Sequence, residues 1–244
     1  MLMSYGGAFL LYAVTCALKL LRWKKTEIVF AVLALATNFM TLVFRARESG
    51  QCPVFSLFDS LLLTALILGL LYVFFARSRE STPDIGKWIW AEVIILFCVA
   101  LFSDKNPAPT AYVPGFIYVP LFHGFRIIAL SLAFLSTGFF IQFLFEGIRN
   151  KRANWCEHQG RNYLILAAVL FLLGEYVGIF WCHAGWGDIW MWSEGFFQST
   201  IIVLYLMLTF HIPVRGRRSE VVRSLVGATN GPVMLILMVI RSFL

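Results

Sequence analysis

Long apolar runs separated by short polar connections divide this chain along its whole length. Eight of these runs are predicted to be membrane-spanning helices: residues 5–22, 27–45, 54–75, 88–103, 120–146, 162–182, 195–213 and 221–242. Several exceed the ~18 apolar residues that mark a spanning helix. Lipid cannot satisfy open backbone groups, and the runs are too long for the strands of a membrane barrel. The pattern therefore predicts an all-α, polytopic membrane bundle of about eight helices, with residues 1–244 forming one integral membrane domain.

Composition and charge support a membrane protein and indicate its orientation. Hydrophobic residues make up 60% of the chain and charged residues 14%, which is too little charge for a surface that faces water. With the N-terminus outside, the outer connections carry Arg45, Arg47, Lys105 and Arg241, whereas the inner connections carry fourteen of the 20 Lys and Arg residues. This bias predicts an outer N-terminus. The net charge of +7 is therefore interpreted as a topology signal, and no nucleic-acid partner is expected.

A tryptophan-rich segment, residues 181–194, lies between the sixth and seventh predicted spans and reads WCHAGWGDIWMWSE. One or two tryptophans at this position would serve as interfacial anchors. Trp186, Trp190 and Trp192 lie within seven residues, and Gly185 and Gly187 permit close approach of the backbone. The segment predicts a flat aromatic surface on the outer side, suited to a large planar apolar ligand.

The run GWGDIWMW in this segment resembles the tryptophan-rich motif of the cytochrome c assembly family, the CcsA/ResC, CcmC and HemX-like heme-handling membrane proteins. The usual form of that motif is close to W-G-x-x-W-x-W-D-P, and here Ser193, Glu194 and Gly195 follow the last tryptophan. The stretch FRARESGQCPVFSLFDSLL after the second span is also similar to the family, so the resemblance covers about Leu11 to Pro213. It implies a multi-pass protein of the bacterial inner membrane that holds heme on its periplasmic side for attachment to an apocytochrome c.

The resemblance assigns the clearest role among the four histidines to His123, at the start of the fifth span, as an axial ligand of externally held heme. Arg126 follows one helical turn later, so its guanidinium can share a face with the imidazole and grip a propionate. The alternative is an interfacial histidine beside an arginine that reaches to the membrane surface. His183, within the tryptophan-rich segment, is a second external ligand or a polar loop residue. His158 is expected to be solvated in an inner loop.

His211 ends the seventh span, where the family carries a histidine that is interpreted as a ligand for heme within the membrane. Its alternative is contact with lipid headgroups. The second span offers Asn38 and no histidine, so a partner subunit is expected to supply the other axial ligand. The resemblance implies a ResB/CcsB-like membrane protein as that partner.

Charged side chains in or near the predicted spans have structural or functional interpretations, and Arg45 and Glu175 have both. Arg45 is a contact for a heme propionate, or it belongs to a salt-bridged loop in which Ser56 and Asp59 cap the third helix. Glu175 orients a histidine or relays a proton, or it is a hydrogen-bonded structural carboxyl. Glu92 and Lys19 are expected to snorkel towards the inner surface.

Two functional hypotheses follow. In the first, the protein presents heme during cytochrome c biogenesis and is at most a component of a heme lyase complex. In the second, it is a HemX-like accessory subunit that binds a partner protein without transferring heme. The five cysteines form no C-x-x-C pair, and the sequence contains no P-loop, H-E-x-x-H or Ser-His-Asp pattern, so ordinary hydrolase or ATPase chemistry is unsupported.

Overall fold

The computed structural model describes residues 2–76, 83–106, 117–146, 151–186, 194–213 and 216–243. Within these ranges all regular secondary structure is helical, as predicted. The chain divides into two compact units, Met1–Ala108 and Pro109–Leu244. Each unit is held together by its own helix contacts.

The first unit contains four helices and one π-helical turn: α1 (Leu2–Leu20), α2 (Lys24–Ser49), α3 (Leu57–Leu71), the turn Tyr72–Ala76, and α4 (Gly86–Phe102). α1 packs on α2 and α4, and α3 packs on the same two helices. The interior is aromatic: Tyr12 and Trp90 are completely buried, with their ring centroids 5.9 Å apart. Large rings that interdigitate in this way fix the spacing of α1 and α4.

Lys19 joins several elements at one end of the first unit. Its ammonium lies 3.2 Å from Glu27 and 2.8 Å from Asp84, and it donates a hydrogen bond of 2.8 Å to the Tyr72 hydroxyl. Glu27 also accepts a hydrogen bond from the Trp90 indole. The expectation that Lys19 snorkels was wrong, because two carboxylates neutralise it within the unit.

The second unit contains five helices in its described part: α5 (Tyr118–Glu146), α6 (Lys151–Trp186), α7 (Glu194–His211), α8 (Arg217–Ala228) and α9 (Asn230–Phe243). α5 is the central helix and packs against α6, α8 and α9. Glycines allow the close approach. A Cβ on Gly227 would lie 2.5 Å from the Phe140 ring, and one on Gly231 would lie 3.0 Å from the Phe134 backbone. α8 and α9 therefore rest directly on the aromatic face of α5.

The eighth predicted span is broken into two helices. α8 ends at Ala228 and α9 begins at Asn230. Pro232 cannot donate the backbone hydrogen bond that would continue α8, and its ring clashes with the preceding turn. Asn230 bridges the break by donating to the Thr209 hydroxyl of α7 and to the Gly227 carbonyl. The break is therefore stabilised from within the bundle.

Six helical segments of the described chain are long and apolar enough to cross a membrane: Met3–Leu20, Lys25–Ser49, Leu57–Phe75, Tyr118–Glu146, Ala153–Gly185 and Arg218–Ile240. α4 has 17 residues, and the apolar part of α7, Phe197–His211, is also shorter. The structure thus supports a multi-pass helical membrane protein. Eight crossings and an outer N-terminus remain predictions.

Two predicted boundaries were wrong because the helices are longer than the predicted spans. α6 begins at Lys151, eleven residues before the predicted start of the sixth span, and α2 runs to Ser49, past Arg45. Hydropathy reports the part of a helix that contacts lipid, and a helix continues through charged residues until a backbone signal ends it. For α2 that signal is Gly50, which adopts φ +64° in the left-handed region that glycine tolerates.

Candidate functional site

Aromatic side chains of α5 and α6 gather at one end of the second unit. The two helices are antiparallel, so the first turns of α5 meet the last turns of α6. The ring of Phe122 lies 5.7 Å from Trp181 and 5.2 Å from His123, edge to face with the imidazole. Tyr118 stacks on Phe180 with 6.1 Å between ring centroids. The rings of Tyr118, Phe122, Phe180 and Trp181 therefore form an aromatic surface on α5 and α6, and the half-buried His123 imidazole adjoins it through Phe122.

This aromatic surface was only partly anticipated from the sequence. Trp181 belongs to the tryptophan-rich segment. Tyr118 precedes the predicted fifth span and Phe180 lies in the predicted sixth span, and neither carries a sequence signal for this role. Both are partly exposed, at 37% and 43%. Only the pairing of α5 with α6 reveals them, because they are more than sixty residues apart in the chain.

The first part of the tryptophan-rich segment is helical. α6 continues to Trp186, so residues 181–186 form its last turn and a half and are not a loop. His183 is exposed on that last turn, which corrects its interpretation as a loop residue. Trp190, Trp192 and the side chain of Trp186 lie outside the described residues, so the flat indole surface remains a prediction.

Arg126 is buried one turn below His123 and is bound by three elements. Its Nε donates a hydrogen bond of 2.8 Å to Oε1 of Glu175 on α6, and its Nη2 donates to the same oxygen. Nη2 also donates to the Ser199 hydroxyl of α7, at 2.6 Å. The guanidinium carbon lies 4.2 Å from the centre of the Phe122 ring, in cation–π geometry. Arg126 therefore joins α5, α6 and α7 at the end that carries His123.

Glu175 uses one of its two carboxylate oxygens in this pair. Oε2 is buried and has no hydrogen-bond partner among the described residues. The geometry supports the interpretation of Glu175 as a hydrogen-bonded structural carboxyl. A propionate that reached Arg126 would compete with this carboxylate. Ser199 carries no sequence signal for its role, since a serine in an apolar span is common.

Arg45 also makes an internal ion pair, in the first unit. Its Nε and Nη2 donate to the two oxygens of Asp59, at 2.8 and 3.1 Å, and its Nη1 donates to the Lys105 carbonyl at 2.7 Å. Ser56 accepts from the backbone of Asp59 and caps α3. The interpretation of these residues as a salt-bridged cap of the third helix is the one that the geometry shows. Arg47 is exposed on the same helix.

His211 lies at the opposite end of α7 from Ser199 and is exposed. Its Nδ1 is 2.8 Å from the Met207 carbonyl oxygen. Since a carbonyl only accepts, Nδ1 carries the proton, and in the neutral imidazole Nε2 then keeps a lone pair. This is the tautomer in which a histidine ligates a metal through Nε2. The imidazole is therefore chemically suited to an axial role.

Two other residues named from the sequence, His158 and Asn38, both lie on helices. His158 is exposed, as predicted, but it lies on α6 and not in a loop. Asn38 is completely buried in the first unit, where it donates to the Tyr12 hydroxyl and the Leu62 carbonyl. In the described part of the chain no three His, Cys, Asp or Glu side chains form a metal-binding group. A porphyrin brings four nitrogens of its own, so an axial histidine does not depend on such a group.

Comparison with known proteins gives a partial similarity to a longer protein. No protein-family model matches the chain. Protein NrfI of Wolinella succinogenes is 27% identical over 189 residues, which represent 72% of this chain and 20% of that protein. The chain thus spans about one fifth of the length of this curated relative. It is similar to part of a larger protein.

Proposed function

We propose that this protein holds heme at the end of its second unit, on the outer side of a bacterial inner membrane, for attachment to an apocytochrome c. The observation that supports the proposal is the position of His123, whose half-buried imidazole contacts the Phe122 ring, which in turn packs against Trp181 of α6. An imidazole is an axial ligand of heme iron, and aromatic rings provide apolar area for a porphyrin face.

Two further observations support a role in cytochrome c biogenesis. The tryptophan-rich run at the end of α6 resembles that of the cytochrome c assembly family. The partial similarity to Protein NrfI supports a role in cytochrome c maturation, but it does not bear on heme presentation or on a partner. The multi-pass helical fold is compatible with a site at the outer membrane surface.

Each candidate residue has a separate proposed role in heme binding. His123 would bind the iron, while the aromatic surface would exclude water from one porphyrin face. Trp186, Trp190 and Trp192 would extend this surface. Arg126 is the candidate propionate contact, and His183 is a candidate second ligand. Heme, when bound, supplies the vinyl groups that react with the thiols of an apocytochrome; this chain contributes position and electrostatics.

His211 would be the ligand of a second heme position at the other end of α7. Its proton on Nδ1 leaves Nε2 for iron, and the side chain is exposed to a neighbouring protein or to lipid. The second predicted span carries Asn38 in place of a histidine, and Asn38 is hydrogen-bonded within the first unit. The second axial ligand would therefore come from a ResB/CcsB-like partner.

Heme attachment in cells tests the function. A strain that lacks this protein should lose covalently bound heme in at least one c-type cytochrome, as detected by peroxidase staining of denaturing gels. The wild-type protein and a His158→Ala variant should restore the stain, because His158 is an exposed histidine far along α6 from the aromatic surface. His123→Ala should fail to restore it. Unchanged staining in the deletion strain would contradict the proposal.

The internal ion pairs favour a second candidate function. Arg126 is held by Glu175, and Arg45 is held by Asp59. If these guanidiniums serve only the fold, the protein is an accessory subunit that binds a partner without handling heme. That alternative predicts copurification of another membrane protein in amounts that do not change in His123→Ala.

A further inference from the structure

Glu92 is a buried acid within α4, in the first unit. It lies six residues after Gly86, about 9 Å along the helix axis at 1.5 Å per residue. The residue is 5% exposed, and neither carboxylate oxygen has a hydrogen-bond partner in the part of the chain that the structure describes. The expectation that Glu92 snorkels to the membrane surface was therefore wrong, because a snorkelling carboxylate would be exposed.

The turns of α4 on either side of Glu92 offer only apolar neighbours. Ile89 precedes it by one turn and Leu96 follows it by one turn, and both are completely buried. Trp88 and Ile95 are the remaining positions three or four residues away. No basic residue of α4 stands three or four positions from Glu92.

The helices packed against α4 do not neutralise this acid either. α4 packs on α1 and α3. Their charged side chains are engaged with other groups: Lys19 pairs with Glu27 and Asp84, and Asp59 pairs with Arg45. The other titratable residues of α1, α3, α4 and the π-helical turn are Tyr5, Tyr12, Cys16, Tyr72, Lys87 and Cys98. The ammonium of Lys87 lies 4.6 Å from the centre of the Trp88 ring.

An isolated carboxylate in a dry interior is strongly unfavourable, whereas the neutral acid is tolerated far better. Ionisable residues within membrane spans are functional candidates by default, and proton binding is one of their common roles. We propose that Glu92 is a proton-binding site of the first unit, present as a neutral carboxylic acid at neutral pH. The ligand is a single proton, and the site is independent of the heme function proposed above.

A neutral acid in an apolar environment is a target for apolar carbodiimides. The acid proton moves to one nitrogen of the reagent while the carboxylate oxygen bonds to its central carbon, which forms an O-acylisourea. The acyl group then migrates to nitrogen and gives a stable N-acylurea. Nothing leaves, so the product has gained the mass of one carbodiimide. An ionised, paired carboxylate such as that of Glu27 lacks the proton needed for the first step.

The test is to treat the purified full-length protein in detergent at neutral pH with dicyclohexylcarbodiimide and to locate adducts by peptide mass spectrometry. We expect one predominant adduct, on the peptide that contains Glu92, and its loss in Glu92→Gln. Glu27 and the exposed Glu48 serve as internal controls. A water-soluble carbodiimide with an added amine should reverse the pattern and label Glu48 in preference to Glu92.

Infrared spectroscopy gives a readout that does not depend on access of a reagent. The carbonyl stretch of a protonated carboxyl group should be present at neutral pH in the wild type and absent in Glu92→Gln. Glutamine resembles the neutral acid in size and charge, so this variant should fold with unchanged helical content. A wild-type spectrum that is identical to that of Glu92→Gln in the carbonyl region, or carbodiimide labelling of Glu27 equal to that of Glu92, would overturn the proposal.

Discussion

The buried pair of Arg126 and Glu175 gives the sharpest prediction for the second unit. Their side chains are 8% and 13% exposed, so the pair belongs with interior ion pairs and not with surface pairs, whose contribution is about 0–1 kcal/mol. Removing one partner of a buried pair leaves an uncompensated charge and costs about 3–5 kcal/mol. We therefore expect Arg126→Met and Glu175→Leu each to lower the free energy of unfolding by about that amount.

The double variant should behave differently from the sum of the single variants. Replacing both members of a buried pair by apolar residues of similar volume is often neutral or stabilising, because no charge remains to be desolvated. Arg126→Met combined with Glu175→Leu should thus be more stable than either single variant. In the double variant the Ser199 hydroxyl no longer accepts a hydrogen bond from Arg126. We therefore expect its free energy of unfolding to reach at most the wild-type value.

Unfolding in mixed micelles with increasing sodium dodecyl sulfate, followed by circular dichroism, measures these differences. Glu48→Gln is the matched control, since Glu48 is an exposed acid and surface substitutions usually stay within about 0.5 kcal/mol. Strictly additive losses in the double variant would refute the argument from desolvation. The same double variant then separates fold from function: if Arg126 holds a propionate, heme content falls although stability has recovered.

The remaining predictions concern packing and topology. Gly227→Ala should lower the free energy of unfolding by about 1–3 kcal/mol, because its Cβ would lie 2.5 Å from the Phe140 ring. Gly124→Ala, whose Cβ would meet no atom of the described residues within 4 Å, should stabilise α5 by about 0.5–1 kcal/mol. Denaturant titration of both variants checks this. In a variant whose single cysteine is Cys52, an impermeant maleimide should label the protein from the outer side of intact cells, while a single cysteine introduced as His158→Cys should need permeabilised cells. Desolvation raises the pKa of the Cys52 thiol above its ordinary value, so the labelling rate should still be increasing as the pH passes that ordinary value. Labelling of the introduced cysteine at position 158 from outside intact cells, with Cys52 protected until permeabilisation, would overturn the predicted orientation.

Hydropathy alone was enough to predict where most of the helices lie. The apolar runs that predict spans one, two, three, five and six each coincide with a long helix, because lipid imposes both the apolar surface and the satisfied backbone. The helix ends were less predictable. α6 starts at Lys151 because charged residues beyond the lipid remain compatible with a helix, and hydropathy does not report them. The break before Asn230 had a signal in Gly231 and Pro232, which an average over a span conceals.

The partners of the charged residues could not be obtained from sequence spacing. Arg126 and His123 are one turn apart, which predicts a shared face, yet the guanidinium turns to Glu175, 49 residues away in the chain. Only the antiparallel packing of α5 on α6 brings them together. Arg45 and Asp59 were within reach of sequence reasoning, since a short connection joins their helices, and that pairing was one of the two interpretations.

The absorbance spectrum of the purified protein tests the central claim most directly. The account predicts a Soret band in the wild type, or on addition of heme, with a shape typical of histidine ligation. His123→Ala should lose or shift this band, whereas His158→Ala should keep it. A folded wild-type protein without heme absorbance after heme addition, or a spectrum unchanged in His123→Ala, would contradict the assignment of the imidazole on α5 as an iron ligand.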